Sequence, residues 1–197
     1  MSDAEDERDF FEQLRASGEI SEEEIGELQR QTSAAPTKSS AGVAQRNRML
    51  MEDGLESAGT LDLRVQLTSL SLAERLKFAM LGNATCRSLL ISDGNKLIQM
   101  AVLKNPKLQK SEIDEFSKNR NLSGTVLRAI SESKSWIKDY TIKLNLVTNP
   151  KTPLDIGLRW LRHLRKTDLK KVSLSREIPQ LIAVTAKKRL GDMQRRS

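Results

Sequence analysis

An all-α chain is what this sequence predicts: a short right-handed α-solenoid of stacked helices, preceded by a flexible linker and a small N-terminal helical hairpin. Three observations carry that expectation. Helix stop and start signals recur at close intervals, and apolar residues fall in helical stripes. Aromatic residues make up only 4% of the 197 positions, so Leu, Ile, Val and Met must fill the interior, which suits helix-on-helix packing better than a sheet sandwich.

The clearest stop and start lies at Asn149-Pro150-Lys151-Thr152-Pro153-Leu154-Asp155. Pro150 and Pro153 cannot continue a preceding helix, while Thr152 can cap a new one with Pro153 at its first position and Asp155 at its third. Aligning Asn105, Asn119, Asn149 and Ser175 as starts of similar junctions puts an apolar residue seven or eight positions later: Ile113, Val126 with Leu127, Ile156, and Ile182 with Ala183. The spacing is unequal, so the repeat is degenerate. Each unit is a helix end, a polar turn and a new helix, and none can hide its apolar face without neighbours. The recurring asparagines read as turn residues that tolerate left-handed backbone and cap helix ends.

Four segments follow from composition. Residues 1–31 hold 3 basic and 11 acidic side chains and read as an acidic helical hairpin. Phe10, Phe11 and Leu14 lie on its first helix, Ser17-Gly18 is the break, and Ser21 with Glu24 is a capping box before Ile25 and Leu28. Its apolar surface is too small to fold alone, and a solvated acidic helix remains the alternative. Residues 32–60, rich in Thr, Ser, Ala and Gly, read as a flexible linker in which Met49, Leu50 and Met51 could form a brief amphipathic patch. Residues 61–191 are the helical repeat domain, and 192–197 a basic tail. From residue 61 onward the chain carries 27 basic and 12 acidic side chains, so an acidic head sits on a basic body.

Within the body, Ser71 and Glu74 form a capping box for a helix that carries Leu72, Leu76, Ala79 and Met80 and ends at Gly82, a left-handed cap. A short helix spans about 85–91, and a nearly all-apolar one spans 97–103. The stretch from Trp136 to Val147 is expected to be one helix with two apolar stripes. After Pro153, Leu154, Leu158, Leu161 and Leu164 face the core, with Asp155, Arg159, Arg162 and Lys166 on a largely opposite side. The last helix runs from Pro179 and stops at Gly191.

Residues 72–190 resemble a family of small uncharacterised bacterial proteins with helical repeats. The segments that carry the resemblance are Ala73–Lys77, Asn95–Leu97 running into Ala101–Pro106, and Lys143–Pro153 running on to Leu161–Arg165. The same stretch is similar to HEAT-like and leucine-rich-variant repeats. That likeness implies an α-solenoid with a binding role, and it supplies no substrate, cofactor or catalytic residue. Leucine-rich-variant proteins can hold an iron–sulfur cluster through several cysteines, which the single Cys86 does not provide. The pattern Leu14–Ile25 resembles short terminal hairpins of bacterial proteins that mediate oligomerisation.

The residue types exclude several chemistries. The glycines have no spacing suited to a phosphate loop or dinucleotide site. One cysteine excludes an intramolecular disulfide or a multi-cysteine zinc site. No N-terminal apolar segment reads as a secretion signal, and the apolar runs are too short to span a bilayer, so a cytoplasmic location is expected. Lone His163 reads as a residue flanking the core or ending a helix, Cys86 as a packing residue, and Asp114 with Glu115 as adjacent carboxylates pointing apart. No enzyme, metal or cofactor is expected.

The sharpest candidate is a basic cluster for an anionic partner: Arg159, Arg162, Arg165, Lys166, Lys170, Lys171 and Arg176. Two functions compete for it. One is a non-enzymatic adaptor with a protein partner, the hairpin self-associating or recruiting a second protein. The other is sequence-nonspecific nucleic-acid binding through the basic face, although aromatics interleaved for base stacking are lacking.

Overall fold

A computed structural model describes residues 11–12, 15–16, 22–33 and 60–195. Its helices are α1 (Glu22–Ser33), α2 (Thr60–Thr68), α3 (Leu72–Leu81), α4 (Ala84–Leu90), α5 (Lys96–Lys104), α6 (Lys110–Lys118), α7 (Gly124–Glu132), α8 (Tyr140–Thr148), α9 (Leu154–Leu161), α10 (Lys166–Leu174) and α11 (Gln180–Arg195). The described residues contain no strand, and none of their helices is long and apolar enough to cross a membrane. Two compact units divide between Leu90 and Ile91.

In the first unit α1 packs on α3, and α3 on α4. Ile25 on α1 is buried, as are Phe11, Leu63, Leu67, Leu76, Phe78 and Cys86, so α1 packs its apolar side against the helices that follow it. Phe10, Leu14, the break at 17–18 and Ser21 lie outside the described residues, as do Met49 to Met51. So does the linker, apart from 32–33, which belong to α1, and Thr60, which opens α2. The box at α3 is present: Ser71 Oγ accepts from the Glu74 amide at 3.3 Å, and Glu74 Oε2 accepts from the Ser71 amide at 3.0 Å.

Gly82 ends α3 without a left-handed backbone, its φ being −67°. Glycine is needed there for space. A Cβ would collide with the Phe78 carbonyl and lie 2.9 Å from Cys86 Cβ and Sγ.

The second unit is layered. Among α5–α11, α5 packs on α7 and α9 on α11, while α6 packs on α8; the successive pairs α6–α7, α8–α9 and α10–α11 also pack together. The apolar positions that follow each junction, Ile113, Val126, Leu127, Ile156 and Ile182, are all buried. Towards the C-terminus the core gathers Val147, Leu161, Leu164, Leu169, Val172, Ile178, Ile182 and Ala186.

All four aligned junctions are five-residue connectors (105–109, 119–123, 149–153, 175–179). Each opens with the same turn: Asn105, Asn119 and Asn149 accept through Oδ1 from the amide two residues on at 2.8, 2.9 and 2.9 Å, and Ser175 Oγ does so at 3.3 Å. None is left-handed. Their φ values are −61°, −68°, −79° and −71°, so these side chains serve by capping the turn's amide, an Asx or ST turn.

Five further expectations are corrected. Thr152 does not cap α9: Pro153 holds the N-cap position, its carbonyl accepts from Ile156 and Gly157, and the buried Thr152 hydroxyl has no partner among the described residues. Trp136 lies in turns, because Asp139 caps α8 by accepting from the Thr141 amide at 2.6 Å. Leu154 is 40% exposed, and its expected core position is taken by Ile156. Lys166 starts a new helix instead of extending α9. Finally, α11 continues through Gly191 to Arg195, leaving only 196–197 of the expected tail, which lie outside the described residues.

A tertiary contact marks the break between α9 and α10. Arg165, at the N-cap of α10, has no side-chain cap. Instead the Tyr140 hydroxyl, arriving from α8, accepts from the Arg165 amide at 3.0 Å and donates to Asp168 Oδ2 at 2.6 Å. The Arg165 guanidinium lies 4.5 Å from the centre of the same ring. Burial, then the bond to Asp168, holds the phenol above its ordinary pKa. Tyr140→Phe keeps the ring and deletes the cap; it is expected to lower stability by about 1–2 kcal/mol, measured as a shift in urea midpoint at unchanged m.

Candidate functional site

Helix α10 separates two polar clefts of the second unit. At about 100° per residue, Asp168, Lys171 and Val172 fall on one side of it, and Lys166 with Lys170 on the other. The buried residues Leu169, between these two sides, and Val172, at the edge of the first, hold the helix to its neighbours.

The first cleft, about 500 Å³, runs across α6, α8 and α10 and is lined by Lys118, Arg120, Leu144, Asn145, Thr148, Asn149, Asp168, Lys171, Val172, Ser175 and Glu177. Each cation in it has a carboxylate: Lys118 meets Asp114 at 2.5 Å, Arg120 meets Glu177, and Lys171 lies 3.6 Å from Asp168. The hydrogen bond from Arg120 holds Glu177 below the ordinary carboxylate range. The floor is a network of amides. Asn145 Nδ2 donates to Asp114 Oδ1 at 2.8 Å and to Ser117 Oγ at 2.9 Å, and Asn149 Nδ2 donates to the carbonyls of Ser117 at 3.0 Å and Asn119 at 2.9 Å. The cleft is thus close to charge-balanced, with a rigid polar floor.

The second cleft, about 490 Å³, lies between α10 and α11 and is lined by Lys166, Lys170, Lys187, Leu190, Gly191 and Gln194. It contains three lysines and no carboxylate.

The seven basic residues read from the sequence are therefore not one stripe. Lys171 faces the first cleft, and Lys166 and Lys170 the second. Arg159 and Arg176 are exposed. Arg162, also exposed, offers its carbonyl to Arg189 Nη2 at 2.7 Å. Arg165 is engaged with Tyr140. Lys187 was missed, since its place beside Lys166 and Lys170 depends on how α11 folds back on α10.

The remaining candidates line neither cleft. His163 is exposed, its ring 5.4 Å from that of Trp160. Cys86 is buried, and burial pushes its thiol up to about 12, so it is not a thiolate near neutral pH. Asp114 is spent on Asn145 and Lys118. Among the described residues no three His, Cys, Asp or Glu side chains are grouped to hold a metal. No family model matches the chain, and neither a curated protein nor a solved structure is similar to it.

Proposed function

We propose that residues 96–195 form a short right-handed α-solenoid, HEAT-like or leucine-rich-variant-like, that works as a non-enzymatic adaptor and takes an extended segment of a partner protein across α6, α8 and α10. The observation that supports this best is the pairing of every cation in the first cleft with a carboxylate. A polyanion gains little from cations already neutralised, whereas a peptide can exchange hydrogen bonds with Asn145, Thr148, Ser175 and the ion pairs without leaving a charge unmet. The alternate packing of α5 on α7, α6 on α8 and α9 on α11 supports the solenoid. In this reading the protein acts in the cytoplasm without a cofactor, and its acidic head self-associates or recruits a second protein.

The test is a photo-crosslinking amino acid placed in the full chain at Thr148, inside the cleft, and at exposed Thr125 on α7 as a control. The expected result is one polypeptide captured at Thr148 and not at Thr125. Equal capture at both positions, or none at Thr148, would remove the reading.

A second reading, nonspecific nucleic-acid binding, draws on Arg159, Arg162 and Arg176, whose exposed guanidinium groups have no carboxylate partner among the described residues. It requires binding that falls steeply with salt and is lost in R159E/R162E/K166E. If neither DNA nor RNA binds at low salt, this second reading fails.

A further inference from the structure

The cleft between α10 and α11 differs from the first in one respect that matters chemically. Among the described residues, the ammonium groups of Lys166, Lys170 and Lys187 have no hydrogen-bond or ion-pair partner. Lys166 and Lys170 lie one turn apart on α10, a like-charge spacing that destabilises a helix when nothing offsets it, and Lys187 adds a third charge from α11. The nearest carboxylates in sequence are turned to other work: Asp168 meets Tyr140 and Lys171, and Asp192 lies 3.7 Å from Arg195. Where every cation of the neighbouring cleft is matched, three unmatched ones around a single space leave a strongly positive hollow with Leu190 and Gly191 in its wall.

We propose that this cleft is a binding site for a compact ligand carrying clustered phosphate groups, such as a di- or triphosphate chain. Three features set the class. The lysines converge from two helices on one hollow, which fits a ligand with its charges bunched better than one with charges strung along a line. The cations are lysines, point charges suited to phosphate oxygens, and no arginine fork for a planar carboxylate lines the cleft. The adjacent cations on α10 do not extend the site into a track, because Lys171 faces the opposite side and is paired. This site stands apart from the peptide cleft and does not depend on it.

The experiment titrates the full chain with inorganic tripolyphosphate at constant ionic strength, by calorimetry and by thermal midpoint. Saturable binding and a raised midpoint are expected, with affinity falling roughly tenfold or more in each of K166Q, K170Q and K187Q. The pair K134Q/K138Q, at exposed lysines that line neither cleft, should bind like the parent. Two competitors complete the test: a single-stranded oligonucleotide without terminal phosphate, and polyglutamate. Either one competing through the same lysines as strongly as tripolyphosphate would overturn the compact-phosphate assignment. So would no binding of tripolyphosphate, or equal binding by the parent and the K166Q/K170Q/K187Q variant.

Discussion

Asn149→Ala is expected to destabilise the second unit by about 2–4 kcal/mol, although it removes only one small side chain. Asn149 is 3% exposed. Its amide nitrogen satisfies two carbonyls where α6 runs into the preceding junction, those of Ser117 and Asn119, and its oxygen caps the Lys151 amide of its own junction. Alanine leaves groups of two connectors without partners at once, and each such group costs about 1–3 kcal/mol when water cannot replace the lost bond. Asn149→Asp separates hydrogen bonding from shape. A carboxylate can still cap Lys151 but sets a negative charge against two carbonyl oxygens, so at neutral pH it should be worse than alanine. Burial and those carbonyls would raise its folded-state pKa above the unfolded value; the folded protein then binds more protons, and the deficit shrinks as pH falls through the folded pKa. Urea titrations followed by tryptophan fluorescence test both, since Trp136 and Trp160 lie in this unit. A loss below about 0.5 kcal/mol for Asn149→Ala would mean that the asparagine is only a local turn residue, as its sequence context suggested.

Gly82→Ala should cost about 3 kcal/mol or more, for a reason opposite to that usually given for a glycine at a helix end. The backbone at Gly82 is one that alanine adopts without strain. The obstacle is the Phe78 carbonyl, which a methyl group would strike, with Cys86 closing the other side at 2.9 Å. A backbone carbonyl cannot rotate away as a side chain can, and Phe78 O also accepts from the Gly82 amide at 2.9 Å. The Asn83 cap on the Cys86 amide, 2.9 Å, and the Arg87 bond to the Gly82 carbonyl, 2.8 Å, pin the same junction. Relief must therefore move α4 against α3, which overpacks a buried contact. Cys86→Ala in the same background should not rescue it, because the carbonyl and the residue 86 Cβ remain. Far-UV circular dichroism is the proper probe, as this unit contains no tryptophan. Full rescue by Cys86→Ala would show that the sulfur, and not the backbone, sets the requirement.

Both cases bear on what can be read from a chain of letters. The all-helical class, the α3 capping box and the four matched connectors depend on residues within a few positions of one another, and local backbone chemistry declares itself in sequence. Asn105, Asn119, Asn149 and Ser175 could be aligned because each bonds an amide two residues away. The same locality explains the errors. Propensity alone cannot tell that α9 ends before His163, because the cap for α10 is a hydroxyl on Tyr140, 25 residues earlier than Arg165. Nor can it tell that Gly82 is conserving space instead of a left-handed turn, since the crowding depends on how the chain leaves α3 beside the Phe78 carbonyl and on where α4 then places Cys86.

That the chain is helical, where its polar turns recur, and that an acidic head precedes a basic body can all be read from the residues in order. How cations and carboxylates from different helices meet, or fail to, is set by the fold. Charge along a chain is additive, but its effect on a partner depends on distance, and at a few ångströms a neighbouring carboxylate cancels a lysine that the sequence counts in full. Folding α11 against α10 brings Lys187 beside Lys166 and Lys170 with nothing to offset them, while a turn of the same helix commits Lys171 to Asp168.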